Sequence, residues 1–398
     1  MKILWFVSSL EQKGGGERFV LETVQSIRAD GHDVKIVCDR MHADASFDGR
    51  YDLSDVLCTH QELSPKAGYL KKALNKLWGM TSLFRIILSQ KPELLICQSE
   101  FDAIKLYLIS RFLKFRYRVF VFGQMYQFKT DITRYSSVFR QHLEKIIASR
   151  PGYKETVMMP PPKLGPLVRW TNELVSRLKF RAIWNADRVF TVSRQVQWEV
   201  SLIYQRADAR VCRAAFDVSY IDHDAISSPR QVGSPLQLLS VNRLVGKKRI
   251  DLMISAFEMC TLDAYLTIIG TGPEECRLKA LASQSSKKDR ITFLGAVSDE
   301  LLLNQLKMAD CLISLDIGDY DITVVEALGK GVRVVVASDF DTSEFENGFS
   351  GLVSVPPEIK ALATAIDNIP CMPAPSQSNI DVLNGLTWQT LARSCVAA

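Results

Sequence analysis

The sequence predicts an α/β protein made of two doubly wound, parallel-sheet domains. Short apolar runs alternate with amphipathic helical patterns along both halves of the chain, which is typical of consecutive β-α-β units. The 398 residues, 47 % of them hydrophobic, are enough for two separate cores. Residues 226–235, ISSPRQVGSP, have the composition of a linker and separate the two halves.

The first domain, residues 1–225, begins with a strand and a glycine-rich turn. The predicted strands are Lys2–Ser8, Val34–Cys38, Glu93–Gln98, Arg118–Phe122 and Ala186–Ser193, with helices such as Glu17–Ala29 between them. Gly15 and Gly16 follow the first strand, where glycine lets the backbone approach a phosphate or a sugar closely. A simple surface turn is the alternative. Residues 140–180 break the alternation, and we interpret them as an insertion.

The second domain, residues 226–385, repeats the alternation, and residues 386–398 are predicted to form a C-terminal helix. Its predicted strands are Leu236–Val241, Ala264–Ile269, Ile291–Leu294, Cys311–Leu315 and Val332–Ala337. Arg243 and Lys248 follow the first of these strands, and Gly270 and Gly272 follow the second. Because ligands bind beyond the carboxyl ends of parallel strands, these residues are predicted to face one site. Fixed cations and a glycine turn suit a nucleoside diphosphate, whereas a solvated loop is the alternative for the two cations.

A strand, an acidic loop and a helix lie between Asp310 and Ser338. The helix is predicted over Ile322–Lys330 and ends at Gly331. The N-terminus of this helix is predicted to bind an anion through the backbone N–H groups of Asp321, Ile322 and Thr323. Two interpretations of Glu326 remain open: its carboxylate binds sugar hydroxyls beyond the phosphate, or it forms a capping box with Thr323.

Composition narrows the setting of the protein. The nine cysteines include no C-x-x-C pair, which predicts reduced thiols in the cytoplasm and disfavours both a zinc knuckle and a disulfide framework. No run of eighteen apolar residues occurs. The opening run Ile3–Leu10 is too short to span a bilayer and has no cleavage-site pattern after it, which favours a buried first strand over a signal peptide. Residues 1–220 carry 34 Lys and Arg against 22 Asp and Glu, or +12, whereas the remainder carries 15 against 22, or −7.

Basic and apolar residues are interleaved in two parts of the first domain. Lys71, Lys72 and Lys76 lie on an amphipathic pattern over Tyr69–Leu88, and residues 105–118 mix Lys and Arg with Tyr and Phe. This combination predicts docking on an anionic membrane surface, at its cytoplasmic face. An ordinary core-facing helix with a solvated basic side is the alternative. No recognised nucleic-acid-binding module occurs, so no nucleic acid partner is expected.

Taken together, these residues resemble the retaining glycosyltransferases of family 4, which have the GT-B architecture of two Rossmann-like domains facing a central cleft. The resemblance extends from the first glycine-rich loop to Trp388 and is strongest over residues 238–338. The stretches that carry it are GGGERFVLETVQSIRADGHDV, SVNRLVGKKRIDLMISAF, IIGTGPE, FLGAVSDELL and EALGKGVRVVVAS. It implies transfer of a hexose from a nucleotide sugar, such as a UDP- or GDP-sugar, to a glycan or lipid-linked acceptor in cell-surface polysaccharide or glycolipid biosynthesis.

The resemblance also assigns roles to particular residues. It implies that Arg243 and Lys248 neutralise the donor diphosphate and that Glu326 holds the ribose. It places Ala296 and Val297 beside the base. No metal and no further cofactor are implied, because protein cations stabilise the leaving diphosphate.

Two positions depart from the family pattern. A first glutamate usually stands eight residues before the second, where this chain has Gly318, with Asp316 and Asp319 nearby. A histidine often follows the strand that matches Arg118–Phe122, where this chain has Gly123 and Gln124.

The sequence leaves three alternative interpretations of its function open. The Asp319-Tyr320-Asp321 stretch resembles the metal-holding D-x-D of the other large glycosyltransferase architecture. The absent first glutamate suggests a catalytically inactive partner subunit of an active transferase. A sugar-nucleotide epimerase or a phosphorylase on the same fold is the third.

Overall fold

The computed structural model describes residues 1–11, 14–42, 49–60, 69–122, 165–213, 215–227, 235–316, 321–338 and 349–397. The chain divides into two compact units. The first consists of Met1–Ala215 and Trp388–Ala398, and the second of Phe216–Thr387. Each unit has its own parallel sheet.

The first unit contains a seven-stranded sheet in the order β3-β2-β1-β4-β5-β6-β7, with every neighbouring pair parallel. Its elements are β1 (Lys2–Leu10), α1 (Gly15–Ala29), β2 (Asp33–Met41), β3 (Leu57–Cys58), α2 (Tyr69–Gln90), β4 (Leu94–Cys97), α3 (Glu100–Ser110), β5 (Tyr117–Val121), α4 (Pro166–Trp184), β6 (Arg188–Thr191), α5 (Arg194–Ile203) and β7 (Arg210–Val211). The part of the predicted insertion before residue 165 lies outside the described residues, and α4 accounts for the rest.

Aromatic side chains fill the core of the first unit. Phe120 stacks on Trp5, with ring centroids 5.7 Å apart, and on Phe190, at 4.9 Å. Phe19 of α1 packs edge-on against Phe120 from the adjoining helix layer. Burial of such large rings on strands from the middle of the sheet stabilises the layer by several kcal/mol, at about 25 cal/mol per Å² of apolar surface.

The second unit contains a six-stranded parallel sheet in the order β10-β9-β8-β11-β12-β13. Its elements are α6 (His223–Ser227), β8 (Leu236–Val241), α7 (Ile250–Met259), β9 (Ala264–Ile269), α8 (Glu275–Gln284), β10 (Ile291–Gly295), α9 (Asp299–Met308), β11 (Cys311–Ser314), α10 (Ile322–Gly329), β12 (Arg333–Ala337), β13 (Leu352–Val355), α11 (Ile359–Asp367) and α12 (Gln377–Asn384). The strand order reverses between β8 and β11, so the loops after these two strands lie at the usual ligand-binding point of such a sheet.

The last helix, α13 (Trp388–Val396), belongs to the first unit rather than the second. Trp388 packs edge-on against Phe19, and Arg393 donates from Nε to Asp30 at 3.1 Å. The chain passes from the first unit to the second after Ala215, and Phe216 and Ile226 both lie in the hydrophobic core of the second unit. The predicted boundary at residue 225 therefore lies inside the second unit, because apolar side chains on both sides of it are buried there.

Candidate active site

Arg243 and Lys248 lie on the loop that follows β8. Leu244 anchors this loop, since its side chain is fully buried. The chain then forms a 3₁₀ turn, Gly246–Lys248, and Arg249 takes a left-handed conformation with φ of 52° before α7 begins. Arg243 is exposed, whereas Lys248 is half-buried. The loop thus supplies one solvent-accessible cation and one that is held against the protein.

Lys248 forms an ion pair with Asp316, which follows β11. The ammonium group contacts Oδ2 of the carboxylate, and the side chains are only 16 % and 11 % exposed. The pair spans the point where the strand order reverses, because β8 and β11 are neighbours in the sheet. Burial lowers the pKa of Lys248, but the nearby Asp321 and Asp316 carboxylates outweigh it and hold that pKa above its ordinary value. Lys248 is therefore a fixed cation at neutral pH.

The two carboxylate oxygens of Asp316 differ in their contacts: Oδ2 contacts Lys248, and Oδ1 does not. Its Oδ1 is buried and has no hydrogen-bond partner within the part of the chain that the structure describes. A buried, unpaired carboxylate oxygen is costly in the free protein. The arrangement is therefore suited to accepting a hydroxyl or N–H donor from a ligand.

The helix α10 is capped by Asp321. Its Oδ1 accepts from the backbone N–H of Thr323 at 3.0 Å, and its Oδ2 accepts from Ser314 Oγ at 2.7 Å. Thr323 therefore lies inside the first turn, and the alternative in which Thr323 and Glu326 form a capping box is wrong. The cap also places a carboxylate at the helix end that was predicted to receive an anion, so Ile322 and Thr323 lie beside a negative group. A phosphate would have to bind next to this cap rather than in its place.

Glu326 lies in the second turn of α10 and is 5 % exposed. Its neighbours Val325 and Ala327 belong to the hydrophobic core of the second unit. Core packing therefore holds α10 on both sides of Glu326, whose side chain is buried rather than solvated.

Gly270 and Gly272 let the loop after β9 lie against the loop after β8. A Cβ on Gly270 would fall 2.0 Å from the Asn242 carbonyl oxygen, and one on Gly272 would fall 2.2 Å from that of Leu244. Gly270 also has a φ of +125°. Backbone hydrogen bonds join the loops, from Leu244 N to the Thr271 oxygen at 2.9 Å. These glycines therefore shape the loop that carries Arg243.

Val297 and Ala296 follow β10 on the same side of the sheet. Val297 is half-buried against the core cluster, whereas Ala296 is exposed. Gly295, with φ of +69°, turns the chain at this point. The structure thus places an apolar surface after β10, with β9 and its loop between it and the cation-bearing loop after β8.

Gly15 and Gly16 are the first two residues of α1 and lie beyond the end of β1. The space beside Gly15 is open, whereas Gly16 is close to Gln98, whose Nε2 donates to the Gly16 oxygen at 3.0 Å. Gln98 follows β4, the strand beside β1 where the order of the first sheet reverses. The two glycines therefore lie at the switch point of the first sheet.

Sequence reasoning missed a polar cluster at the carboxyl ends of β1 and β2. Asp102 accepts from the hydroxyl of Ser8, and Lys105 contacts the carboxylate of Asp39. His60 Nδ1 lies 3.2 Å from Asp39 Oδ1. Burial lowers the pKa of His60 and raises that of Asp102. The cluster could have been inferred from the sequence, because Ser8 and Asp39 are polar residues near the ends of predicted strands.

Some predicted positions lie outside the described residues, namely Gly318, Asp319 and Tyr320 of the acidic loop and Gly123 and Gln124 after β5. Among the residues that are described, no cluster of three His, Cys, Asp or Glu side chains is arranged to hold a metal ion. Within the same residues, no helix is long and apolar enough to cross a membrane.

Both units match known protein families. Residues 14–215 match the family described as "Glycosyl transferase 4-like domain", and residues 224–376 match "Glycosyl transferases group 1". A curated relative, N-acetyl-alpha-D-glucosaminyl L-malate synthase of Bacillus anthracis, is 24 % identical over 200 residues, which are 48 % of this chain and 49 % of that protein. The chain therefore spans about half the length of this curated relative.

Solved structures match the chain over nearly its full length. Anabaena HepE in complex with UDP has a TM-score of 0.70 at 16 % identity, covering 99 % of this chain and 98 % of that one. The apo form of WaaB, a lipopolysaccharide outer core galactosyltransferase, has a TM-score of 0.66 at 13 % identity, covering 99 % and 97 %. At these identities the likeness establishes the fold, which is GT-B. The chain belongs to the group 1 glycosyltransferases of family 4.

Proposed function

We propose that the protein transfers a hexose from a nucleotide-sugar donor to a glycan or lipid-linked acceptor, with retention of anomeric configuration. The observation that carries this proposal is the ion pair between the half-buried Lys248 and the buried Asp316 at the switch point of the second sheet. Membership of the family makes a donor site at this place the natural expectation.

In the proposed reaction, Arg243 and Lys248 bind the donor diphosphate. As the bond from the sugar to the β-phosphate breaks, negative charge grows on the phosphate and the sugar becomes oxocarbenium-like. Two fixed cations stabilise that charge without reorganising at the moment of reaction, and such stabilisation is usually the largest catalytic effect. The departing phosphate takes the proton of the acceptor hydroxyl on the same face, so no protein base is required.

Asp316 and Glu326 have the hydrogen-bonding roles in this proposal. When the diphosphate arrives, the ammonium of Lys248 turns from Asp316 towards the phosphate oxygens. The Asp316 carboxylate then accepts a hydroxyl of the transferred sugar, with Oδ1 already unpaired among the described residues. Glu326, fixed by the packing of α10, accepts the hydroxyls of the ribose.

The donor is proposed to be a UDP- or GDP-sugar. Support comes from the exposed Ala296 and the half-buried Val297 after β10, which offer an apolar contact for a base. HepE, which shares the fold, has been solved with UDP bound. No divalent metal is required in this account, since Lys248 and Arg243 supply the positive charge.

The acceptor is proposed to belong to cell-surface polysaccharide or glycolipid biosynthesis, and the enzyme to work peripherally at the cytoplasmic face of the membrane. WaaB, which shares the fold, is a lipopolysaccharide galactosyltransferase. On the first unit, Leu77 and Trp78 of α2 are exposed, and Phe112 after α3 is 81 % exposed between Arg111 and Lys114. Apolar side chains beside cations suit an anionic lipid surface.

A catalytically inactive partner subunit is the second candidate, and it is favoured by a specific observation. Asp316 already holds Lys248, and Gly318 occupies the usual place of a first glutamate, so the transferred sugar loses one protein contact. An epimerase or phosphorylase on the same fold has no observation of its own in its favour.

A donor screen separates these functions. Thermal unfolding is measured with UDP-, GDP- and ADP-sugars, because a ligand that binds the folded state raises the melting temperature. The stabilising donor is then incubated with the enzyme in excess EDTA, and release of the nucleotide is followed. Binding with turnover supports the transferase; binding without turnover on any acceptor supports the inactive partner. Turnover that requires Mg²⁺ or Mn²⁺ would instead support the alternative in which Asp319-Tyr320-Asp321 holds a metal ion.

A further inference from the structure

Two cysteines face each other across the edge of the first sheet. Cys38 on β2 and Cys58 on β3 are directly paired in the parallel ladder, and their sulfur atoms lie 3.6 Å apart. Neighbouring strands are separated by about 4.8 Å. That spacing falls inside the range of roughly 4.4–6.8 Å between Cα atoms that a disulfide spans. The strand spacing therefore permits a disulfide, which requires the two sulfur atoms to approach from 3.6 Å to about 2.0 Å.

The two thiols differ in their access to solvent. Cys58 is exposed at the edge of the sheet, whereas Cys38 is fully buried. Burial, together with the neighbouring Cys58, raises the pKa of the Cys38 thiol well above its ordinary value. An exposed thiol beside a shielded one is the arrangement in which the first attacks a disulfide from solution and the second resolves the mixed disulfide that forms.

We infer that Cys38 and Cys58 form a thiol–disulfide exchange site for low-molecular-weight disulfides such as glutathione disulfide. The Cys58 thiolate attacks one sulfur of glutathione disulfide, which forms a mixed disulfide and releases one glutathione thiolate. Cys38 then attacks the Cys58 sulfur, the second glutathione leaves as a thiolate, and the proton of the Cys38 thiol passes to that departing thiolate. The protein is oxidised by two electrons, and one glutathione disulfide is reduced to two glutathione molecules.

The site adjoins the polar cluster at the carboxyl ends of the strands. Asp39 and Thr59 directly follow the two cysteines, and Thr59 donates from Oγ1 to Asp39 Oδ1 at 2.7 Å. β3 is a short edge strand: within the described residues, Leu57 pairs with Val37 and Cys58 with Cys38, and Thr59 N donates to the Cys38 oxygen at 2.8 Å. A disulfide would therefore add a covalent link between this short strand and β2.

Peptide mapping tests the inference on the full-length protein. The protein is equilibrated with mixtures of reduced and oxidised glutathione, quenched with acid, alkylated and digested. We expect one Cys38–Cys58 peptide pair, fewer free thiols by two, and full reversal by dithiothreitol. The Cys38→Ser variant is expected to keep a glutathione on Cys58, and Cys58→Ser is expected to form no cross-link.

Cys276→Ser is the matched control, since Cys276 is an exposed cysteine in the second unit, and it should leave the cross-link unchanged. A wild-type protein that accumulates glutathione on Cys58 without linking it to Cys38 would overturn the inference. Cross-links that join either cysteine to a different partner would overturn it as well. Neither result depends on sugar transfer.

Discussion

The ammonium group of Lys248 contacts the carboxylate of Asp316 across the switch point of the second sheet, although 68 residues separate them in the chain. The carboxylate holds the lysine in place in the free protein, and it also competes with any phosphate for the same ammonium. Such a pair suits a site that binds and releases a charged ligand repeatedly, since the lysine never stands unpaired in a half-buried position.

The Asp316→Asn variant measures that competition. Removing the negative charge frees Lys248 for the diphosphate, so we expect UDP or GDP to bind about tenfold more tightly, in line with about 1.5 kcal/mol for a charge-assisted contact. Isothermal titration calorimetry gives the dissociation constants. Glu275→Gln is the control, because Glu275 forms an exposed pair with Lys279 on α8. Weaker binding by Asp316→Asn would mean that Asp316 orients Lys248 for the phosphate instead.

Gly270 and Gly272 set the shape of the cation-bearing loop, so substitution at either should destabilise the second unit. We expect Gly270→Ala and Gly272→Ala each to lower the free energy of unfolding by about 2 kcal/mol, because a Cβ would collide with a carbonyl oxygen of the neighbouring loop. Urea denaturation followed by circular dichroism measures the effect. At Gly246, where the space is open, the Ala variant should remain close to wild type. Equal stability of all three variants would contradict the proposed loop packing.

Asp102 should give the first unit a distinctive pH dependence. Burial raises the pKa of its carboxyl above the ordinary 3.8, despite hydrogen bonds from Ser8 and Ser99. Between 3.8 and the folded-state pKa the folded protein holds a proton that the unfolded chain has lost, so stability falls as the pH rises through this window. The Asp102→Asn variant has no carboxyl group at this position, so its stability should not fall for this reason as the pH rises.

Urea unfolding of Asp102→Asn and wild type over a pH series tests the sign. The free energy of unfolding of the variant minus that of wild type should increase as the pH rises from 3.8. Asp208→Asn is the opposite control, since hydrogen bonds from Arg206 hold the pKa of Asp208 below its ordinary value. There, the same difference should decrease as the pH rises through the lowered pKa. A difference for Asp102→Asn that does not change with pH would contradict a raised pKa.

Docking on membranes is tested by co-sedimentation with liposomes. Binding is expected to rise with anionic lipid and to fall with salt, since each basic residue near the surface contributes about 1 kcal/mol. Changing Lys71, Lys72 and Lys76 to Glu should weaken it. These lysines lie on α2 before the exposed Leu77 and Trp78, although their side chains lie outside the described residues.

The matched control for the membrane experiment changes three exposed lysines of the second unit, Lys279, Lys288 and Lys360, to Glu. It alters the net charge equally and should leave binding intact. A wild-type protein that stays in the supernatant over anionic vesicles at low salt would contradict peripheral docking.

Much of the fold could be predicted because strands in the middle of a parallel sheet are continuous apolar runs. β8 and β9 begin and end where the sequence predicts, at Leu236–Val241 and Ala264–Ile269. The edge strands β3 and β7 were missed, since two paired residues leave no periodic pattern. The placement of α13 on the first unit was missed too, because it depends on contacts such as that between Trp388 and Phe19.

The candidate site was predictable only in part. Arg243 and Lys248 could be predicted as cations after β8, and Glu326 as a carboxylate on the helix that follows β11. The partner of Lys248 could not be found, since it depends on which strands are neighbours. Asp321 stood in an acidic loop that favoured a metal or an anion site, and only the geometry shows it capping α10. The pairing of Cys38 with Cys58 likewise follows from strand register.

Binding of UDP and GDP to wild type, Arg243→Ala and Lys248→Ala by calorimetry tests the central claim most directly. Each variant loses a charge-assisted contact of about 1.5–3 kcal/mol, so we expect at least tenfold weaker binding of the nucleotide that wild type prefers. Lys279→Ala, on the exposed face of α8, should bind like wild type. Dissociation constants for Arg243→Ala and Lys248→Ala that match wild type would contradict the assignment of the diphosphate site.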